Sequence, residues 1–286
     1  MKSLCIKTNN SNLINYLLNE LQHLELDDIC FLTQEFKHFK NVIVHYRGTN
    51  DYIFLDKISS ILSLLVIDEL EEDFLNSLLI QNYFYFDANE RKDIINLSFD
   101  IMSYSQNFNA KFKTIYSSFY EYLLNHRSLY LKGFTNFRLK NYFTILDEVI
   151  TEAVNSYIIE KEYLEFISLL RLYINSQNSN CELVHIVYSS SNTILLDENK
   201  QIIDISEDCL NTKYLSDISF SSNDYTLNSL LTLLPKEIYI HLIDNYIDEF
   251  INTLQAIFEN RVHICTDCNI CKIYKNSKER KNPNTV

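Results

Sequence analysis

Between residues 107 and 174 the chain repeats apolar side chains at steps of three and four, which commits its centre to long amphipathic helices. Phe108, Phe112, Ile115, Phe119 and Leu123 fall on one stripe of a helix over 107–125. Leu139, Tyr142, Phe143, Leu146, Val149, Ala153 and Tyr157 form a second stripe. Tyr163, Phe166, Ile167, Leu170 and Ile174 carry it on after a predicted break near Glu160 and Lys161. Gly133 stands between the stripes, where a helix can end in the left-handed conformation.

Upstream, Leu4 to Ile6 reads as a strand, followed by a helix from Ser11, whose hydroxyl is the expected N-cap. Residues 29–36 and 41–46 read as strands, because branched and aromatic side chains such as Val42, Ile43, Val44 and Tyr46 fit a pleated surface. These make a small N-terminal βαββ unit over 1–49. Helical spacing over 51–83 and 89–104 extends a predominantly helical middle over 50–176. The polar run Ser176 to Asn180 marks a boundary. Beyond it, strands are predicted at 183–188, 193–196, 201–205, 237–242 and 261–265, with helices at 225–234 and 246–258. Strand, helix and strand in succession favour a parallel pair, so 177–271 is expected to be a C-terminal α/β unit with a partly parallel sheet. A basic flexible tail, 272–286, completes an α+β (mixed α/β) chain.

At 286 residues, two or three packed units are expected. A net charge of −13 argues against nucleic acid as a partner, since phosphate binding needs clustered cations. From Lys272 onward five basic residues and one acidic residue give +4, leaving −17 on the rest, so the tail reads as solvated or as a weak contact for an acidic partner. The oily run Ile58 to Ile67 stops at Asp68, too short to serve as a membrane anchor, and Met1 to Thr8 lacks the apolar stretch of a signal peptide. Seven cysteines without an export signal point to reduced thiols in the cytoplasm. Asp68, Glu69, Glu71, Glu72 and Asp73 are nearly consecutive and point several ways around a helix, which predicts a solvated face. Two glycines leave no room for a phosphate-binding or dinucleotide loop, and neither HExxH nor GxSxG occurs.

Gly133, Phe134, Phe137, Arg138 and Tyr142 read as a tight turn whose aromatics dock on the core while Arg138 pairs with a carboxylate or a helix end; an anionic ligand on Arg138 is the alternative. Gly133-Phe134 with Phe137-Arg138, Glu160-Lys161-Glu162-Tyr163 leading into Phe166-Ile167 and Leu169-Leu170, and Phe258-Glu259 with Arg261-Val262 resemble the YtxC-like family of sporulation proteins from spore-forming bacteria. The resemblance runs over nearly the whole chain to near Cys271. It implies a soluble bacterial protein associated with endospore formation, and it carries over no catalytic residue.

His185, His241 and His263 each sit inside a predicted strand. Were those strands neighbours, the imidazoles could approach one another near the strand ends; isolated histidines with one hydrogen bond each are the plainer reading, because register decides. Cys265, Cys268 and Cys271 form C-x2-C-x2-C, a spacing that lets a turning backbone aim successive thiolates at one ion. Zinc suits such a clip. His263, two residues from Cys265 along a strand, is the expected fourth ligand, with Cys181, Cys209, His241, water or another subunit as further options. An iron–sulfur cluster ranks below zinc, because Lys275 stands where the ferredoxin pattern needs its fourth cysteine. Redox cysteines and free thiols are the other readings. The sequence thus predicts a noncatalytic structural or interaction protein, with an unidentified protein partner and a C-terminal metal clip. The alternative is a redox or metal-dependent enzyme built on those cysteines and the strand histidines.

Overall fold

The computed structural model describes residues 2–281 apart from 25, 38, 105–106, 190–191 and 204–220. The fold is α+β, and the chain divides into two compact units, Met1–Glu160 and Lys161–Val286.

In the first unit β1 (Lys2–Thr8), α1 (Ser11–Gln22), β2 (Ile29–Glu35) and β3 (Lys40–Tyr46) follow the expected βαββ order. Strand β3 pairs antiparallel with both β1 and β2, and alternation buries Leu4, Ile6, Val42, Val44 and Tyr46. The N-cap of α1 is Asn10, one residue before the expected Ser11, and its side chain accepts from the backbone N–H of Asn12. A further strand, β4 (Ser128–Tyr130), joins parallel to β1 and gives the order β2-β3-β1-β4. Three residues are too few to register as a period in the sequence.

Helices α2 (Asp51–Glu69), α3 (Glu71–Asn82), α4 (Ala88–Tyr104), α5 (Asn107–Asn125), α6 (Leu131–Arg138) and the first part of α7 (Lys140–Ser176) complete this unit. One apolar core takes in Leu4 and Val44 of the sheet together with Leu62, Leu65, Phe119 and Leu146 of the helices. The apolar face of the strands is covered by those helices, as a one-sided sheet requires. The single helix expected over 51–83 is two helices that meet at Leu70, whereas α7 runs unbroken through Glu160 and Lys161, both good helix formers. Asp68, Glu69, Glu72 and Asp73 are exposed as expected. Glu71 is not: it is buried beside Lys111 and Tyr142.

Gly133 lies inside α6, and neither glycine has a positive φ. Its value is space, since a Cβ there would sit 2.8 Å from Cδ1 of Tyr130. Phe134 stacks on Phe119 at 4.3 Å, Phe137 is exposed, and Arg138 stands in the last turn of α6, at a helix end as one of its two expected readings has it, 5.7 Å from the centre of the Tyr122 ring. At Gly48 a Cβ would overlap the phenolic end of Tyr46, a buried ring stacked 5.1 Å from Phe54. Gly48→Ala is therefore expected to destabilise the protein by about 1–3 kcal/mol, read as a lower denaturant midpoint; an unchanged midpoint would mean that the ring moves aside freely.

The second unit contains β5 (Cys181–Ser189), β6 (Asn192–Leu196), α8 (Ser222–Leu233), β7 (Pro235–Leu242), α9 (Glu249–Phe258), β8 (Val262–Cys265) and α10 (Asn269–Lys281). Its sheet has the order β6-β5-β7-β8, with β5, β7 and β8 parallel and β6 antiparallel. Of the strand predicted over 201–205, the described part makes only an isolated bridge, Leu196 to Ile202, and 204–205 lie outside the described residues. One sheet face, with Val184, Ile186, Ile238 and Ile240, is buried against Ile167 and Ile174 of α7 and against α8 and α9. Where a flexible tail was expected from 272, the chain is helical to Lys281. Ile270 and Tyr274 dock α10 on Val187, Leu196 and Ile243, and Lys275 donates to Asn245 and to the carbonyl of Thr266. No helix among the described residues is long and apolar enough to cross a membrane.

Candidate metal centre

Alternation along three adjacent parallel strands puts the other sheet face to chemical use. His185, Tyr239 and His263 lie in one lateral row across β5, β7 and β8, and Val187, His241 and Cys265 form the next row. Strand β8 stops at Cys265, the chain turns, and α10 begins at Asn269. That reversal brings Cys268, in the turn, and Cys271, in the first helical turn, back over Cys265.

Nδ1 of His241 lies 3.3 Å from Sγ of Cys268 and 3.5 Å from Sγ of Cys271. Sγ of Cys271 lies 3.7 Å from that of Cys268 and 3.9 Å from that of Cys265. All four donor atoms fall within 4.8 Å of one another. A tetrahedral ion with bonds of about 2.3 Å to sulfur and about 2.0 Å to nitrogen has edges of roughly 3.8 Å between sulfurs and roughly 3.5 Å between sulfur and nitrogen. Those four separations match these edges, and the other two, from Cys265 to His241 and to Cys268, fall within 4.8 Å, so His241, Cys265, Cys268 and Cys271 could hold a metal ion once the Cys265 side chain closes on it.

The electrostatics suit that chemistry. Burial, then the neighbouring His185 and Lys200, push the pKa of His241 down to about 4, which keeps the imidazole neutral and able to ligate. Burial first, opposed by a backbone hydrogen bond at Cys268 and aided by the Cys268 and Cys265 sulfurs, brings the Cys271 thiol up to about 11. Burial also acts to raise Cys268, but hydrogen bonds from the backbone of Cys271 and Ile270 and from the Cys265 and Cys271 thiols outweigh it and hold Cys268 below the ordinary thiol value. The cluster thus gathers negative charge on Cys268 first, and a bound dication would draw the remaining thiols to thiolate.

His263, the ligand expected from the sequence, is not in this group. It is exposed, with its ring 4.9 Å from that of Tyr239. Two residues along a strand span about 6.6 Å, whereas a directly paired residue on the next strand lies about 4.8 Å away. His241 is the residue paired with Cys265. The register that selects it cannot be read from one strand alone. Two of the three strand histidines do converge: Nδ1 of His185 is 3.0 Å from Nε2 of His241. Cys181 is spent on the carbonyl of Leu183, and Cys209 lies outside the described residues.

The model of the YtxC-like family matches residues 56–263. That span includes His185 and His241 and stops two residues short of Cys265. The uncharacterized protein YtxC of Bacillus subtilis (strain 168) is 23% identical to this chain over 216 residues, 70% of this chain and 75% of that protein. No solved structure matches the chain. The family match covers well over half of the chain, and the chain therefore belongs to the YtxC-like family.

Proposed function

We propose that this is a noncatalytic structural or interaction protein of endospore formation, acting in the cytoplasm, whose second unit is fastened by one zinc ion on His241, Cys265, Cys268 and Cys271. The observation that carries the reading is the completeness of the donor set. Four protein donors gathered within 4.8 Å of one another would fill a tetrahedral ion's shell and leave no coordination position for water or substrate, which is the mark of a structural site and not of a catalytic one. Three sulfurs and a nitrogen also favour zinc over magnesium or calcium, which take oxygen ligands. The close approach of the sulfurs fits a single ion better than a cluster of several irons.

A second reading has an observation in its favour. Cys268 and Cys271 form a C-x-x-C at the start of α10, with Cys268 held below the ordinary thiol value, as in dithiol redox sites. Anaerobic purification of the full chain, metal analysis and an absorption spectrum separate the two. One zinc per chain, absent from a Cys268→Ser/Cys271→Ser variant, is the expected result. Visible iron–sulfur absorption, or metal-free protein whose thiols all react freely, would overturn it.

A further inference from the structure

We propose that His185 is the positioning residue of the metal centre: it takes the Nε2 proton of His241 in a hydrogen bond and thereby reserves Nδ1 of His241 for the ion. The inference rests on the metal reading above and adds to it a residue that touches no ligand sulfur.

A neutral imidazole carries one proton and one lone pair, so the nitrogen that does not bind metal must donate. Nδ1 of His241 is the nitrogen that faces the sulfurs, 3.3 Å from Cys268 and 3.5 Å from Cys271. Nε2 must then carry the hydrogen. With 2% of its surface exposed, His241 has little access to water, and a buried N–H without an acceptor is costly. The partner present is Nδ1 of His185 at 3.0 Å. In accepting, that nitrogen uses its lone pair, so His185 is itself neutral with its proton on Nε2.

The opposite arrangement, with His185 donating to Nε2 of His241, would leave a hydrogen on Nδ1 pointing at Cys268 and Cys271, where the ion would sit. One hydrogen bond therefore decides between a ring that can ligate and one that cannot. The fold supplies it by register. His185 pairs laterally with Tyr239 and not with His241, so it reaches His241 diagonally across the parallel pair from one row below. Its ring centre lies 5.2 Å from that of His241 and 5.8 Å from that of Tyr239, both on β7. Orientation of a ligating histidine by a hydrogen bond to its second nitrogen is a general feature of metal sites.

The test uses the full chain with zinc alone. His185→Phe keeps a planar ring and removes the acceptor; His185→Asn keeps an acceptor oxygen near the position of Nδ1. Competition with a chromophoric chelator is expected to show zinc affinity about 10–100-fold weaker for His185→Phe, and close to the parent value for His185→Asn. Long-range nitrogen–proton NMR of the zinc-loaded parent is expected to show His241 protonated at Nε2. In zinc-loaded His185→Phe the exchange of that proton with solvent should be faster, a change that loss of packing alone would not produce if the circular dichroism of the metal-free variants agrees. Parent-like affinity in His185→Phe, or a proton found on Nδ1 of His241, would overturn the inference while leaving the zinc site standing. A parent chain that takes up no zinc would instead remove the reading on which it rests.

Discussion

Lys111→Met is expected to lower the unfolding free energy of the first unit by about 3–5 kcal/mol. Nζ of Lys111 on α5 lies 2.6 Å from Oε1 of Glu71 on α3, and the hydroxyl of Tyr142 on α7 donates to Oε2 of the same carboxylate. All three residues are buried, with Tyr142 fully enclosed. Burial first, then the charge of Glu71, holds the Tyr142 hydroxyl well above the ordinary phenol range, so it remains a donor. Methionine fills the space of the lysine stem but leaves the carboxylate with one neutral partner in an apolar interior, and that uncompensated charge is the source of the loss. The triple variant Lys111→Met/Glu71→Leu/Tyr142→Phe has no polar group left to desolvate and is expected to regain most of the lost stability. Denaturant unfolding decides. A single variant that costs less than about 1 kcal/mol would place the pair among surface-like ion pairs, and a triple variant less stable than the single would show the polar cluster to be worth more than its desolvation. Should the single variant fail to fold, the triple still reports.

Glu71 also shows where reading from sequence stops. Local periodicity carried the helix over Asn107–Asn125 and the order of β1, α1, β2 and β3, because each rests on side chains close in the chain. In α5, Ile115, Phe119 and Leu123 face the core as the stripe requires. Phe108 does not. It is half exposed and begins a ladder of stacked rings with Phe112, Tyr116 and Tyr120 along the helix surface. The inward turn of Glu71 depends on Lys111 and Tyr142, which lie 40 and 71 residues away, and nothing in an acidic run announces such partners. The metal centre divides in the same way. Its three cysteines are legible from their spacing, whereas His241 enters through the register of β7 on β8, a property of two strands at once. An alternation count over β5, β7 and β8 that treated them as neighbours would have placed His185 and His241 on the face of Cys265, so the signal was present but needed the strand order to be used.

Removing the metal is expected to free α10 while the centre of the second unit stays folded. The helix has 13 residues, and its described apolar anchors are Ile270, Cys271 and Tyr274. Burying one large aliphatic side chain contributes roughly 1.5–3 kcal/mol, while fixing the backbone costs roughly 1–2 kcal/mol per residue, and an isolated helix shorter than about 12–15 residues is marginal in water. Docking of so few side chains does not hold the helix by itself. A bound ion present at a thousandfold excess over its dissociation constant adds about 4 kcal/mol, and it acts where α10 starts, at Cys268 and Cys271. The core of Val184, Ile186, Ile238, Ile240, Leu254 and Phe258 lies on the opposite sheet face and does not depend on those ligands. Hydrogen exchange before and after chelation is therefore expected to show protection lost in α10 and at the end of β8, and retained in β5 and β7. Cys271→Ser should produce the same pattern without a chelator, and His263→Ala should not. Undiminished protection of α10 in metal-free protein would mean that the helix is held by its side chains after all, and the four donors would then lose their role as a fastening.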